Sequence, residues 1–306
     1  RKYIYPLQHS KHKIVIISTA LFIVAVISFF AYCTTALYRF NGNSSFLYGV
    51  TRVIPFPIAK AGADFVAYEN YLYELRHYIH YYQTQQELDF DSELGRQQLA
   101  DYRRRALQKV IDNAYVKQLA AKNKVTVSAK ELDAEIALVR SQNRLGNNDK
   151  GFEDVLKDNF GWSVGDFKRS LRQEILTQKL VAALDTQTQN DAKAALNDLG
   201  KGTKFGKVAA KYSDDKRTAS NGGEFGFLVD KTSRDLSARV TDALFKLKPG
   251  ETSGIINTGY SLEIVKNIEK QGSKIRAAHI VFTFEDIGTY LCEVKVSSKT
   301  RIFIKL

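Results

Sequence analysis

Residues Ile14–Tyr38, IVIISTALFIVAVISFFAYCTTALY, contain no charged side chain. About 20 apolar residues suffice for a helix to cross a bilayer, so this run constrains the chain before any other feature. A cleaved signal peptide is the rival reading, but its apolar region is usually about 7–15 residues. This run is longer, and no small-x-small cleavage site clearly follows it, so an uncleaved anchor over 14–38 is expected. Arg1, Lys2, Lys11 and Lys13 precede it, with His9 and His12 nearby, and only Arg39 and Arg52 follow closely. That bias places a basic tail (1–13) in the cytoplasm and everything after residue 38 outside a cell membrane crossed once. Lys11 and Lys13 can snorkel to the headgroups.

The 306 residues are 44% hydrophobic and 25% charged, enough for two modest globular domains. There is no methionine, so either the chain begins inside its reading frame or its methionines have been lost or replaced. The formal net charge of +12 raises nucleic acid or an anionic surface as partners. The basic residues, however, are spread over amphipathic patterns such as Tyr102-Arg103-Arg104-Arg105, with no zinc-finger spacing and no RNP-like aromatic strand. They read as solvated faces, and no nucleic-acid partner is expected. Cys33 lies in the apolar run and Cys292 near the C-terminus. They are not expected to pair, and neither has metal-ligand neighbours, so no metal site is expected.

Residues 39–63 read as a linker, polar at Asn41-Gly42-Asn43-Ser44-Ser45 and stiffened by Pro55 and Pro57. A helical pattern starts at Asp64, with Phe65, Tyr68, Leu72, Leu75 and Ile79 at spacings of three and four. The tyrosines at 68, 71, 73, 78, 81 and 82 read as one helix face and its core contact, with a peptide-binding aromatic surface as the alternative. A second helix covers about 92–122. Ser128 followed by Glu131 is a capping-box signature, opening a helix with Leu132, Ile136 and Val139 that Asn147-Asn148 ends. A short helix over 151–160 and a long one from about 165 follow. The segments VTVSAKELDAEI (125–136) and FEDVLKDNFGWSVGDFKRSLRQEILTQKL (152–180) resemble the helical chaperone domain of the SurA group, over roughly 64–182. That resemblance implies a helical cradle for unfolded chains across 64–187. A generic helical bundle would show the same periodicity.

The C-terminal part, 188–306, carries an ordered series: YSDD (212–215), NGGEFGF (221–227), ALFKLKPGETSG (243–254) and TGYSLEIV (258–265). Asn221-Gly222-Gly223 marks a turn needing unusual backbone angles, and Pro249-Gly250 breaks a helix carrying Leu236, Val240, Leu244 and Phe245. Ile255-Ile256 and Leu262–Val265 read as strands turned at Thr258-Gly259. The series resembles the parvulin peptidyl-prolyl isomerases of the SurA, PpiD and PrsA foldase branch. It implies an α+β domain that isomerises X–Pro bonds without cofactor or metal.

On that resemblance Asp215 takes the position of the central Asp or Cys. Leu236, Val240 and Phe245 take the apolar proline pocket, and Thr258 a site hydroxyl. Ser261 stands where a second histidine is normally found. The first family histidine is also missing, because Leu180–Asp185 stands where its strand is expected and can simply continue the preceding helix. An HIL-like strand occurs late instead, at Arg276–Phe282, joined to the strand before it through Gln271-Gly272-Ser273. This strand is expected to supply the missing one from the C-terminal side, a circularly permuted arrangement that returns His279 to the site. The rivals are a truncated second repeat, or a histidine that only packs. A short helix (285–294) and a strand (301–305) follow with no assigned role.

The expected whole is thus a membrane-anchored, extracytoplasmic isomerase and chaperone for unfolded, proline-containing secreted polypeptides. The alternatives are a non-catalytic holdase with a degenerate site, and a structural scaffold of the envelope.

Overall fold

The structure, a computed structural model, describes residues 9–141 and 148–306, with side chains from Ile14 onward. Arg1, Lys2 and Asn147, and the side chains of His9, Lys11, His12 and Lys13, therefore lie outside the described residues. The chain divides into two compact units, 1–83 with 87–111 and 299–306, and 84–86 with 112–298.

The first unit opens with helix α1 (His9–Tyr38), whose Ile14–Tyr38 stretch is long and apolar enough to cross a membrane. Residues 39–63, expected as a linker, are ordered instead. Ser44 caps helix α2 (Ser45–Val53) by accepting from Leu47 N at 3.3 Å. The segment after Pro55 becomes strand β1 (Pro57–Ala61), which turns at Gly62 (φ 56°) into β2 (Asp64–Ala67). The helix expected from Asp64 thus starts later, as α3 (Tyr68–Gln85). Phe65, read as part of its face, is exposed on β2, with the Lys60 ammonium 5.5 Å from its ring. Tyr68 and every residue from Tyr71 to Leu75 are buried, so the first turns of α3 are enclosed on all sides rather than along one face. Helix α4 (Glu93–Lys122) follows, with its residues up to Ile111 in this unit and those from Asp112 in the second.

The second unit continues with α5 (Ala129–Ser141), α6 (Asp149–Phe160) and α7 (Val164–Leu184). The capping box that opens α5 is in place, with Ser128 N donating to Glu131 Oε2 at 2.8 Å and Glu131 N to Ser128 Oγ at 3.2 Å. Leu132, Phe152, Leu156, Phe167, Leu171 and Ile175 form the core of this helical layer. Helix α7 runs through to Leu184, so 180–184 is helical, as its apolar run allowed, and Asp185 caps α8 (Thr186–Gly200).

Then follow α9 (Phe205–Tyr212), α10 (Lys216–Ala219), β3 (Glu224–Val229), α11 (Ala238–Lys246), β4 (Ile256–Asn257), β5 (Ser261–Gln271), β6 (Lys274–Thr283), α12 (Ile287–Ser297) and β7 (Thr300–Ile302). Four of these strands make an antiparallel sheet in the order β3-β6-β5-β4, so the last strand to enter lies in its middle. Ala278, Ile280 and Phe282 pack with Leu262 and Ile264 against α8 and α9. Ile275, Ala277 and Val265 pack against Val240 and Leu244 of α11 on the opposite face. Side chains alternate along a strand, so His279 belongs to the α11 face, opposite Val265 in register. The C-terminal segment, without a role at the level of sequence, divides its work. Leu291 of α12 is buried, and β7 returns to the first unit to complete the sheet β2-β1-β7.

Candidate functional site

The YSDD segment anchors the end of strand β6 that lies beyond its pairing with β3. Val281 N donates to Ser213 Oγ at 3.1 Å, Asp214 N donates to Val281 O at 2.8 Å, and Thr283 N donates to Asp214 Oδ2 at 2.8 Å. This pairing carries Asp215, the N-cap of α10, to the edge of the sheet beside His279. Further along the same edge, His279 N donates to Gly223 O at 2.8 Å. Gly223 has φ 83°, and a Cβ there would lie 2.4 Å from His279 O. The Asn221-Gly222-Gly223 turn therefore requires glycine for both backbone angle and clearance.

His279 is the hub of a polar chain. Its Nε2 lies 3.0 Å from Thr218 Oγ1 and 3.2 Å from Asp215 Oδ2, and its Nδ1 lies 3.4 Å from Glu263 Oε2. Ser261 Oγ reaches Glu263 Oε1 at 3.4 Å, and Thr258 Oγ1 lies 2.8 Å from Ser261 Oγ. Asp215, His279, Ser261 and Thr258 are thus brought into one network, linked by two residues that the sequence reading missed, Glu263 and Thr218. Glu263 carried a faint signal, as a charged residue on the inward face of an otherwise apolar LEIV strand. Thr218 carried none.

Both carboxylates can only accept, and the threonine hydroxyl can donate or accept. A doubly protonated imidazole satisfies Asp215 and Glu263 together. The tautomer with hydrogen on Nδ1 donates to Glu263 and accepts from Thr218. Burial pushes the Asp215 carboxyl up, but Arg217 N–H, the Arg217 guanidinium and the Thr218 hydroxyl outweigh it and hold the group below the ordinary aspartate range. Asp215 is therefore an anion at neutral pH.

The apolar side of the site is Phe225, whose ring centroid is 4.3 Å from that of His279. Phe225 packs with Leu236 and Phe245 around the α11 cluster, so the expected pocket residues do gather on the face that carries His279. Val240 is fully buried and can only support them from beneath. Phe225, Leu236 and Phe245 are half-buried and can meet a ligand. Among the described residues, no cluster of His, Cys, Asp or Glu is arranged to hold a metal ion.

A second connection reaches the Thr258 turn from outside the sheet. Arg239 of α11 donates to Thr258 O at 3.2 Å and pairs with Glu135 of α5, while Gln178 of α7 closes over Gly259 (φ 100°). Arg239, Glu135, Gln178 and Gly259, with Glu131, Lys179 and Asn257, line a pocket of about 340 Å³.

Comparison with known proteins agrees with this architecture. Residues 7–181, more than half of the chain, match the SurA-like N-terminal domain, and residues 175–269 match the PPIC-type PPIASE domain. The second match ends before β6, so His279 lies outside it. The chain is 29% identical to a parvulin-like PPIase of Rickettsia typhi over 164 residues, 53% of this chain and 57% of that protein. It is also 29% identical to the foldase protein PrsA of Staphylococcus aureus (strain Newman) over 201 residues, 52% of this chain and 60% of that one. It therefore spans less than two thirds of the length of these curated relatives. A crystal structure of peptidylprolyl isomerase (PrsA) from Bacillus cereus aligns over 67% of this chain and 78% of its own at 14% identity, with a TM-score of 0.22, too low to bear on the fold. The chain belongs to the SurA-like N-terminal domain family and carries, behind that domain, a domain of the parvulin-type peptidyl-prolyl isomerases.

Proposed function

We propose that this chain isomerises X–Pro bonds in unfolded secreted polypeptides from an anchored position on the outer face of a membrane. The observation that carries the reading is His279, held between Asp215 and Glu263 and faced by the Phe225 ring.

The reaction is rotation about an amide whose resonance opposes it by roughly 18–20 kcal/mol for an ordinary peptide bond. The uncatalysed prolyl step takes about 10–100 s. Twisting removes the double-bond character and returns a lone pair to the prolyl nitrogen. A site lowers the barrier if it strips water from the amide and offers polar groups matched to the twisted form rather than the planar one. In this reading Phe225, Leu236 and Phe245 hold the proline ring. His279 keeps the Thr218 hydroxyl and the Asp215 carboxylate in fixed positions at the rim. Ser261 and Thr258 extend the polar wall on the other side through Glu263. No covalent intermediate is needed.

The helical layer α5–α7 is assigned to holding unfolded segments, and α1 to the membrane, with the basic tail in the cytoplasm. A non-catalytic holdase is the second reading, favoured by Ser261 standing where the resemblance expects a second histidine. The test is a tetrapeptide isomerisation assay, with Asp215→Ala as the control, together with suppression of aggregation of a reduced, unfolded client. Catalysis above background that falls in Asp215→Ala supports the isomerase. Suppression without catalysis supports the holdase. Neither activity supports the scaffold reading.

A further inference from the structure

Helix α2 has two different sides. Leu47 and Thr51 are each 3% exposed and pack inward. Phe46, Gly49, Val50 and Val53 fall at the i, i+3, i+4, i+7 spacing of a single helical stripe, and none is charged. Phe46 is 54% exposed and Val53 is 83% exposed. No acidic residue occurs between Tyr38 and Asp64, whereas Arg39, Arg52 and Lys60 do.

The position of this stripe is fixed by its contacts with α1. The Phe46 ring lies 6.5 Å from Phe29 and 6.3 Å from Tyr32. Just beyond, Cys33 and Leu37 are fully buried by protein. The part of the apolar run left for lipid is then Ile14 to Tyr32, about 28 Å at the usual rise of 1.5 Å per residue. That matches a hydrocarbon core of about 30 Å. Phe29 and Tyr32 therefore stand at the outer boundary of the core, and a ring touching both must sit at that depth.

We infer that α2 is an interfacial helix that lies on the outer leaflet, its Phe46–Val53 stripe inserted at the headgroup boundary and its flanking arginines facing anionic lipid. Apolar residues on one side with cationic residues beside them are the composition such helices use. The inference rests on α1 spanning the bilayer. It makes the membrane contact of the first unit a surface rather than a tether alone, and gives β1, which follows Pro55, a fixed starting point near the lipid.

The test uses the full chain reconstituted into vesicles of phosphatidylcholine and phosphatidylglycerol, with bromines placed either near the carbonyl or near the methyl end of the acyl chains. Single tryptophans replace Phe22, Phe46, Val53 or Leu94 in a Trp162→Phe background, or with the Trp162 signal subtracted if that background does not fold. The expected result is deep quenching at Phe22→Trp, shallow-bromine quenching with a blue shift at Phe46→Trp and Val53→Trp, and no quenching at Leu94→Trp. Phe46→Trp and Val53→Trp behaving like Leu94→Trp while Phe22→Trp is quenched overturns the docking helix and leaves the anchor standing. An unquenched Phe22→Trp overturns the anchor, and the docking helix with it.

Discussion

His279 Nε2 lies 3.2 Å from Asp215 Oδ2, although 64 positions separate the two residues in the chain. The contact exists because β6 enters the middle of the sheet, and because the YSDD segment pairs with the end of β6 that β3 leaves uncovered. Asp215 is held low by its donors, so its contribution to stability has a definite pH course. It is fully present above the unfolded aspartate value of about 3.9 and is lost as pH falls through the lower folded value. Urea midpoints of wild type and Asp215→Asn should therefore differ at neutral pH and converge in acid. A gap that widens on acidification contradicts the assignment.

Gly223 and Gly226 separate clearance from backbone strain. Both have positive φ, 83° and 78°, but only at Gly223 would a Cβ strike the β6 backbone, whereas the space beside Gly226 is open. Alanine at either site is expected to cost about 1 kcal/mol or more for the left-handed backbone. Gly223→Ala should cost clearly more and also lower isomerase activity, because the clash is with the carbonyl of His279 itself. Equal losses in denaturant midpoint would show that β6 adjusts freely.

Glu131 gives a second pH test, away from the site. The Lys179 ammonium first, then the Ser128 N–H and hydroxyl, hold its carboxyl down at about 2. Its contribution is complete above the unfolded value of about 4.3 and disappears as pH falls toward about 2. An NMR titration of the Glu131 side chain should show no midpoint near 4. In Glu131→Gln, the first-turn amides of α5 should exchange faster at neutral pH and match wild type near pH 2.

The C-terminal strand makes a prediction for the first unit. Phe303 N donates to Ile58 O at 2.9 Å, and Ile304 is 7% exposed. Removing a buried isoleucine side chain costs about 2–5 kcal/mol. Ile304→Ala should accelerate hydrogen exchange at the Phe303 amide while leaving the His279 amide protected. Loss of protection at both would mean that the two units unfold together.

Features carried by neighbouring residues were legible in the sequence. The Ser128–Glu131 box, the helical continuation through Leu184 and the left-handed Gly222-Gly223 turn all follow from residues within a few positions of one another. The late HIL-like strand was legible through its hairpin with β5, which is short-range. The β3 side of that strand depends on a contact made across 52 positions, Glu224 to Arg276, and carries no local mark. For the same reason 39–63 read as a linker. Its strand β1 is defined by pairing with β2 and with β7, and the second partner comes from the far end of the chain. Thr218 was invisible because a lone threonine on a one-turn helix looks like surface.

The most direct test is kcat/KM for prolyl isomerisation of a tetrapeptide by the full chain and by His279→Ala, with the circular dichroism and urea midpoint of each measured alongside. If His279 organises the site, the variant stays folded and loses about tenfold or more, equivalent to at least about 1.4 kcal/mol of transition-state stabilisation. A folded His279→Ala protein with unchanged kcat/KM would contradict the account, and would leave His279 as a packed residue of the sheet.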